Sequence, residues 1–365
     1  MRIENVTFIY KEGRINRLSS KEKFPKEFFY GYHNFLEDCS NVKVIEYRED
    51  SNITLKLAFK IIRKIFRLPI YTEKLLNIKN LKILMKTEFL IQTNQNIGYS
   101  MIFIISILKL FRNINTTVFI MGVLQFQEIE TLNKKLFNKL LFKVNNNIIF
   151  LSNNEKIYAD NHYKKYKDKF YFLPFPVDIK FWSKEESVDG HGKKILFLGN
   201  DLNRNYELLK KLPIKLPREN FIYITERILK SEILNNNVIL KNGSWGNSQI
   251  SDSQIKNLYS QSKLVILPLY NSMQPSGQSV SLQAMSMNVP VLISKTEGFW
   301  DYERFENQKN IFFVESDNID EWVDKIKYVL EHKHNNLINN ANSIVKKYYN
   351  LEVFYKDLTV ILQHK

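Results

Sequence analysis

The sequence predicts an α/β protein with two doubly wound parallel sheets, one in each half of the chain. Short apolar runs rich in β-branched residues alternate with stretches of helical periodicity, which is typical of parallel βα units. The runs are apolar throughout, as in strands that helices cover on both faces. The chain has 365 residues, which is more than one compact domain of ordinary size needs.

The predicted strands follow one another at regular intervals. In the first half they are 6–10, 42–46, 89–92, 117–120 and 148–151. In the second half they are 195–198, 221–224, 238–240, 264–267, 291–293 and 311–314. Pro174 and Pro176 lie between the halves and disfavour helix. We therefore expect one domain over 1–176, a second over 177–350, and an amphipathic C-terminal helix within 351–365.

The composition favours an anionic partner and a reducing compartment. The formal net charge is +15 and the pI is about 9.4, which suits nucleotides, phospholipid headgroups or nucleic acid. Cys39 is the only cysteine, so an intrachain disulfide is excluded. The most apolar stretch, 101–108, is far shorter than a membrane span. The first ten residues lack the pattern of a secretion signal, so we expect a cytoplasmic protein.

The segment 264–293 carries the strongest functional signal. It predicts strand, loop, helix and strand, and small polar residues precede the helix. Backbone N–H groups at such a helix start suit a phosphate. Gly277 permits close backbone approach, and Ser276 or Ser279 can cap the helix or bind a ligand oxygen. An ordinary capped helix is the alternative.

Residues 275–291 resemble the donor-site helix of glycosyltransferase family 4, the group 1 transferases of GT-B fold. In that family a loop, a helix ending in Glu-Ala-Met-Ala, a Gly turn and Pro-Val follow in this order. Segments 175–181, 195–199 and 251–268 are similar to the family's interdomain segment, its first strand with a glycine loop, and the helix and strand before the donor loop. The resemblance covers roughly half of the chain and weakens in the first domain.

The resemblance implies a GT-B fold: two Rossmann-like domains facing a cleft, an acceptor-binding one over 1–176 and a nucleotide-sugar-binding one over 177–350. It implies that the C-terminal helix crosses back and packs on the first domain. The implied activity is that of a glycosyltransferase of hexosyltransferase type, acting with retention. The sugar would pass from a nucleoside-diphosphate sugar to a glycan or lipid-linked acceptor in surface polysaccharide or glycoconjugate synthesis.

Two positions depart from the family pattern. Its members usually carry two glutamates eight residues apart, and here Pro275 and Gln283 occupy those places. The Gln283 amide can still bind ribose hydroxyls, whereas Pro275 cannot replace a carboxylate that contacts the sugar. A GT-B-like protein that binds a nucleotide without catalysis is therefore an alternative function.

Cations near the predicted donor loop are the candidate catalytic groups. We expect Arg204 to neutralise the donor phosphates, because a guanidinium engages two oxygens at once. Lys295 is a second phosphate candidate, and Glu297 a candidate contact of the transferred sugar. A solvated surface position is the alternative for Arg204 and for Glu297. The predicted donor-binding residues are Gly199, Asn203, Arg204, Asn242, Gly243, Ser276, Gly277, Gln278, Ser279 and Gln283.

Acceptor binding is assigned to polar residues that follow strands of the first domain. They are His33, Asn94, Asn96, Gly98 and Gln125. A surface or helix-capping role is the alternative for His33. The histidines and the single cysteine form no metal-ligand spacing, so no metal and no cofactor besides the donor substrate is expected.

Two basic and apolar stretches, 55–68 and 134–143, have the composition of interfacial helices. In the first, Phe59, Ile62 and Phe66 contribute to the predicted apolar face, and Arg63 is among the cations. We expect peripheral contact with anionic membrane through both stretches. Helices that cover the first sheet and show lysines to water are the alternative. A nucleic-acid-binding protein is a further alternative, but no recognised module for it is present.

Overall fold

Two compact units make up this computed structural model, which describes residues 3–20, 23–48, 52–124, 131–184, 194–243 and 250–364. The first unit consists of Met1–Lys21, Phe29–Pro174 and Phe354–Lys365, and the second of Glu22–Phe28 and Phe175–Val353. The second unit thus takes the short segment Glu22–Phe28 from the first half of the sequence.

The first unit contains a six-stranded parallel sheet. Its strands are β1 (Val6–Tyr10), β2 (Val42–Glu46), β3 (Phe89–Gln92), β4 (Asn115–Ile120), β5 (Asn147–Phe150) and β6 (Phe170–Phe172). Its helices are α1 (Arg14–Leu18), α2 (Tyr32–Asp38), α3 (Ile53–Phe66), α4 (Ile78–Leu84), α5 (Gln95–Phe111), α6 (Leu132–Val144) and α7 (Asn153–His162). The strand order is β2-β1-β3-β4-β5-β6. All residues of β1, β3 and β5 are buried, because helices cover both faces of the sheet.

The second unit contains another six-stranded parallel sheet. Its strands are β7 (Lys194–Leu198), β8 (Asn220–Ile224), β9 (Val238–Lys241), β10 (Ser262–Leu267), β11 (Val291–Ser294) and β12 (Phe312–Val314). Its helices are α8 (Tyr206–Lys215), α9 (Asp252–Ser260), α10 (Gln278–Ser286), α11 (Ile319–Glu331) and α12 (Asn335–Tyr348). The strand order is β12-β11-β10-β7-β8-β9. The chain therefore reverses its direction of growth between β7 and β10, the position where α/β sheets bind ligands.

The predicted strands are confirmed, with ends that differ by at most two residues. The strand that the sequence did not predict is β6. It has three residues and lies at the edge of the sheet beside β5, so its run of apolar residues is too short to stand out. The predicted C-terminal helix is α13 (Leu351–Gln363). Within the first unit, Phe354 of this helix packs on Phe119 and Tyr30.

The basic stretch 55–68 forms α3, and part of its predicted apolar face covers the sheet, as in the alternative, while Ile65 of the same face is exposed. In α3, Phe59, Ile62 and Phe66 are partly buried and pack against the core of the first unit, because this face covers the sheet. The Arg63 guanidinium donates to Glu73 at 2.6 Å, and the Glu73 side chain is 2% exposed. Arg63 is thus engaged within the unit. Of the described helices, none is long and apolar enough to cross a membrane.

Candidate functional site

The loop between β10 and α10 leads into the N-terminus of α10, where backbone N–H groups have no acceptor within the helix. Gly277 is the N-cap residue of α10 and has a φ of 82°, a left-handed conformation that glycine adopts without strain. The N-cap residue makes no side-chain cap hydrogen bond, and Ser276 Oγ bonds to Asp201 and Asn203 instead. Of the two roles open to Ser276, helix capping is thus not seen among the described residues. The N–H groups of the first turn have no acceptor within the helix, and the N-cap residue provides none.

Arg204 lies beside this helix start. Its side chain is almost fully buried, and Nε donates to Asp201 Oδ2 at 2.9 Å. Nη1 is buried and has no hydrogen-bond partner among the described residues. A Cβ atom on Gly277 would lie 3.2 Å from Nη1. A buried guanidinium with one unused donor, next to a helix N-terminus, suits an anion.

Gly199 and Gly277 lie so close to the Arg204 guanidinium that a side chain at either position would contact it. A Cβ atom on Gly199 would lie 2.6 Å from Arg204 Nε, and Gly199 has a φ of +156°. Gly277 is the second glycine, because its own Cβ position is also close to the guanidinium. The Asn205 N–H donates to the Pro268 carbonyl at 2.9 Å, so the loops after β7 and β10 are held together at the point where strand order reverses.

Asp201 is a site residue that the sequence analysis missed. Its Oδ2 binds Arg204 Nε, and its Oδ1 accepts from the Asn203 N–H at 3.1 Å and from Ser276 Oγ at 3.3 Å. Asn203 Nδ2 also donates to Ser276 Oγ at 3.1 Å. Asp201 thus holds Arg204 through Nε, whereas Nη1 is the guanidinium nitrogen near Gly277. The available signal was an acid three residues before Arg204 in a glycine loop.

Gln283 is held by neighbours within the second unit. Its Nε2 donates to Glu27 Oε1 at 2.9 Å, and its Oε1 accepts from Tyr259 at 3.0 Å. Glu27 also accepts from Trp182 Nε1 at 2.7 Å. Burial raises the pKa of Glu27 to about 7, although the hydrogen bonds from Gln283 and Trp182 oppose the rise. The Gln283 amide is therefore already paired, and ribose binding by it stays a prediction.

The remaining residues that were predicted to bind the nucleotide-sugar donor have different surroundings. Asn200 Nδ2 donates to the Gly243 carbonyl at 3.0 Å, and a Cβ atom on Gly243 would lie 2.2 Å from Ile224 Cγ2. Gly243 thus permits close approach to the end of β8. Asn242 is exposed. Gln278 is 4% exposed, and its Nε2 has no hydrogen-bond partner among the described residues, so it is a further buried donor at the start of α10.

Lys295 and Glu297 lie on the surface of the loop after β11. Lys295 Nζ pairs with Glu315 Oε1 at 3.0 Å, and both side chains are about half exposed. The Glu297 N–H donates to Asn271 Oδ1 at 2.9 Å. A Cβ atom on Gly298 would lie 2.3 Å from the Met273 backbone. The loop that carries Glu297 therefore packs against the segment that leads to the predicted donor loop.

In the first unit, the predicted acceptor residues have mainly structural contacts. Asn94 caps α5, because its Oδ1 accepts from the Ile97 N–H at 3.1 Å. The Asn96 carbonyl accepts from Ser100 Oγ. A Cβ atom on Gly98 would lie 2.8 Å from Leu141 Cδ1. The contacts of these three residues therefore shape α5, and acceptor binding by them stays a prediction.

His33 and Gln125 complete the predicted acceptor set. The His33 ring packs edge-on against Phe29 and Tyr32, with centroid distances of 5.3 and 5.4 Å. Gln125 lies outside the described residues. In the part of the chain that the structure describes, no three His, Cys, Asp or Glu side chains form a group that could hold a metal ion.

Glu155 is a second residue that the sequence analysis missed. Its carboxylate is fully buried at the carboxyl end of β4. It accepts from the N–H groups of Gly122, Val123 and Leu124 at 2.8, 2.7 and 3.0 Å. Burial raises the pKa of Glu155 to about 7, and the three N–H donors oppose the rise. Glu155 therefore holds the loop after β4 in place.

Comparison with known proteins gives a family match within the second unit. Residues 229–344 match the model of the family described as glycosyl transferases group 1. No curated protein matches the chain in sequence.

Solved structures match over nearly the whole chain. HepE from Anabaena, determined in complex with UDP and glucose, has a TM-score of 0.69 at 12% identity and covers 99% of this chain and 100% of its own. A glycosyltransferase from Rickettsia africae has a TM-score of 0.64 at 15% identity, with 99% of each chain covered. Sucrose-phosphate synthase from Thermosynechococcus elongatus has a TM-score of 0.69 at 12% identity, and covers 98% of this chain and 97% of its own.

The chain thus has the GT-B fold, with two six-stranded parallel sheets and their surrounding helices. The resemblance seen in residues 275–291 is confirmed, because the family match includes this segment. The low identities explain why the resemblance is local in the sequence, since the fold is preserved where few residues are shared.

Proposed function

We propose that this protein is a glycosyltransferase that takes a sugar from a nucleoside-diphosphate sugar. The observation that carries the proposal is the buried Arg204 Nη1, which has no partner among the described residues and lies beside Gly277 at the start of α10. A group 1 match over 229–344 and a similar fold in HepE, determined with UDP and glucose, support it. We therefore take UDP as the first nucleotide to test.

In this mechanism the second unit stabilises the leaving diphosphate. The bond between the anomeric carbon and the phosphate oxygen breaks, and a bond to an acceptor hydroxyl oxygen forms. Negative charge then grows on the departing phosphate, where Arg204 and the N–H groups of the first turn of α10 can stabilise it. In the retaining reaction that we propose, the acceptor proton passes to an oxygen of this phosphate. No metal is needed for these steps.

The proposed acceptor is a glycan or a lipid-linked sugar of surface polysaccharide or glycoconjugate synthesis. The exposed basic helices of the first unit support this assignment, because they suit an enzyme that works at the inner face of an anionic membrane. We accordingly propose a cytoplasmic protein with peripheral membrane contact through residues 55–68 and 134–143.

The variant Arg204→Ala tests the donor site. Loss of charge-assisted hydrogen bonds costs about 1.5–3 kcal/mol, so we expect the Kd for UDP to rise about tenfold to a hundredfold. Isothermal titration calorimetry measures this change. Arg204→Lys keeps the charge but not the planar fork, and should bind UDP with intermediate affinity.

Arg218→Ala is the matched control, because Arg218 is an exposed arginine of the same unit. Its affinity for UDP should equal that of the parent. Unchanged affinity in a folded Arg204→Ala variant would remove Arg204 from the site. Lys295→Ala, measured in parallel, decides whether the cation paired with Glu315 also contributes.

A second candidate function is nucleotide binding without transfer. Pro275 stands where the family usually has a sugar-binding glutamate, and the Gln283 amide is paired with Glu27 and Tyr259. Release of the sugar from UDP-glucose and from other nucleotide sugars, measured with and without candidate acceptors, separates the two functions. A protein that binds UDP but never releases sugar from any of these donors is a binding protein.

A further inference from the structure

Helices α3, α4, α5 and α6 form an outer surface without negative charge. Their sequences contain lysine and arginine but no aspartate or glutamate. We call the outward-facing residues of these four helices the α3–α6 surface. Its exposed lysines are Lys56, Lys60, Lys64, Lys79, Lys82, Lys135, Lys139 and Lys143.

Large apolar side chains stand exposed between these lysines. On α3 they recur every four residues, and all four are at least 58% exposed. Leu110 and Phe111, in the C-terminal turn of α5, are 79% and 75% exposed. The set comprises Ile53, Leu57, Ile61, Ile65, Ile78, Leu81, Phe103, Ile107, Leu110, Phe111, Leu132 and Leu136. These helices carry nearly half of the exposed large apolar side chains among the described residues.

The exposed residues are not needed to cover the sheet. The opposite face of α3, with Phe59 and Ile62, already packs on the core of the first unit. A surface helix usually shows charged and polar residues on its outer side. An outer row of Ile, Leu and Phe at helical spacing therefore marks an interaction surface.

The four helices lie on one side of the first sheet. Right-handed crossovers place the helices that lead from β2 to β3, from β3 to β4 and from β4 to β5 on the same side. Phe66 of α3 contacts Phe137 of α6 with a centroid distance of 5.0 Å. Gly98 of α5 lies against Leu141 of α6. Arg112, directly after α5, donates to the Leu84 carbonyl at the end of α4. The exposed residues thus belong to a single side of this unit.

We propose that the α3–α6 surface binds an anionic phospholipid bilayer, with lysines at the lipid phosphates and Ile, Leu and Phe in the acyl boundary. Interleaved lysines and aliphatic side chains, without acidic residues, are the composition of such surfaces. A second copy of the chain would bring lysines against lysines, and single-stranded nucleic acid calls for stacking aromatics instead. This inference specifies the membrane contact of the proposed function, and it extends that contact to α4 and α5.

Vesicle flotation of the full-length protein tests the surface. We expect binding to mixed phosphatidylcholine and phosphatidylglycerol vesicles, weaker binding at high salt, and little binding to phosphatidylcholine alone. A lysine near an anionic surface contributes about fivefold to binding. The variant Lys56→Gln/Lys60→Gln/Lys64→Gln should therefore bind about a hundredfold more weakly. The variant Leu57→Ser/Ile61→Ser/Ile65→Ser should lose vesicle binding as well.

Matched controls lie on the second unit. Lys211→Gln/Lys327→Gln/Lys333→Gln removes three exposed lysines, and Leu229→Ser/Leu234→Ser/Ile239→Ser removes three exposed apolar side chains. Both controls should bind vesicles like the parent. A thermal shift with UDP shows that each variant is folded, and it separates the two proposals, because vesicle binding without UDP binding would contradict only the transferase function.

Three results would overturn the inference. The first is equal binding of the parent to both kinds of vesicle, since charge would then play no part. The second is the same loss in the control variants, because any lysine or apolar residue would then serve. The third is a dimer of the parent protein that becomes a monomer in the variant Leu57→Ser/Ile61→Ser/Ile65→Ser, while vesicle binding stays unchanged. The surface would then be an interface between two copies of the chain.

Discussion

Arg204 and Glu155 are buried ionisable side chains with opposite surroundings. Arg204 has one carboxylate partner, Asp201, and an unused donor at Nη1. The Glu155 carboxylate accepts three backbone N–H groups. A buried group with an unused donor suits the binding of a ligand, whereas a buried group with several partners organises the chain around it. The same distinction assigns Gln278 to the candidate site and Gln283 to the packing around Glu27.

Glu155 leads to a prediction about pH. Its pKa is raised from 4.5 to about 7 by burial, so the folded protein holds this proton more tightly than the unfolded chain does. The resulting stabilisation is complete below the unfolded pKa and is lost as the pH rises through about 7. We expect the melting temperature to fall across this interval, and to fall less in Glu155→Gln.

Melting curves measured by circular dichroism across this pH range check the prediction. Glu37→Gln is the control, because Glu37 is an exposed carboxyl of the same unit, and it should melt like the parent at each pH. Glu27, whose pKa is also raised to about 7, should account for a further part of the fall. A parent whose stability rises between pH 5 and pH 7 would contradict the assignment for both carboxyls.

At the scale of elements, α5 and α6 depend on a glycine contact. Gly98 was predicted to bind the acceptor, yet a side chain there would meet Leu141 Cδ1 and Val118 Cγ2 at 2.8 Å. Overpacking of this kind costs about 1–3 kcal/mol. We expect Gly98→Ala to lower the free energy of unfolding by this amount and to leave UDP affinity unchanged, as denaturant titration and calorimetry would show.

Leu141→Ala provides the matching test for Gly98. The smaller side chain leaves room for the added methyl group, so the double variant should be more stable than the sum of the single losses implies. Additive losses would show that the contact with Leu141 is not the cause. If Gly98→Ala kept its stability but lost transfer to an acceptor, Gly98 would instead belong to the acceptor site.

At the scale of the whole molecule, each unit carries one of the two proposed binding surfaces. UDP should slow hydrogen exchange in peptides that contain Gly199–Arg204 and the first turn of α10, because a ligand stabilises the structure it binds. Anionic vesicles should slow exchange in peptides from α3, α5 and α6. Hydrogen exchange with mass spectrometry checks both expectations on the full-length chain.

Peptides from α11 and α12 act as an internal control for the exchange experiment. These helices belong to the second unit and contain none of the residues assigned to either surface. Their exchange should be the same with and without UDP or vesicles, apart from any general stabilisation of the second unit by UDP. Protection of α11 by vesicles that exceeded that of α3 would contradict the membrane surface.

The sequence by itself determined the two sheets and the helix start at Gly277. Strand and helix periodicities depend on neighbouring residues, so runs such as 6–10 and 89–92 predict β1 and β3 without knowledge of the rest. The loop before α10 could also be predicted, because its small residues lie next to the helix that they precede. The stretch 55–68 was recognised as a basic helix for the same reason.

Only the tertiary structure decided which side chains meet. Asp201 binds Arg204 and also Ser276, which belongs to a loop distant in sequence. Glu27 accepts a hydrogen bond from Gln283, although 256 positions separate them in the sequence. It also decided that Phe59 faces inward on α3 while Leu57 faces outward. A helical pattern with apolar residues on two sides is compatible with either orientation, and packing against a sheet from other parts of the chain selects one of them.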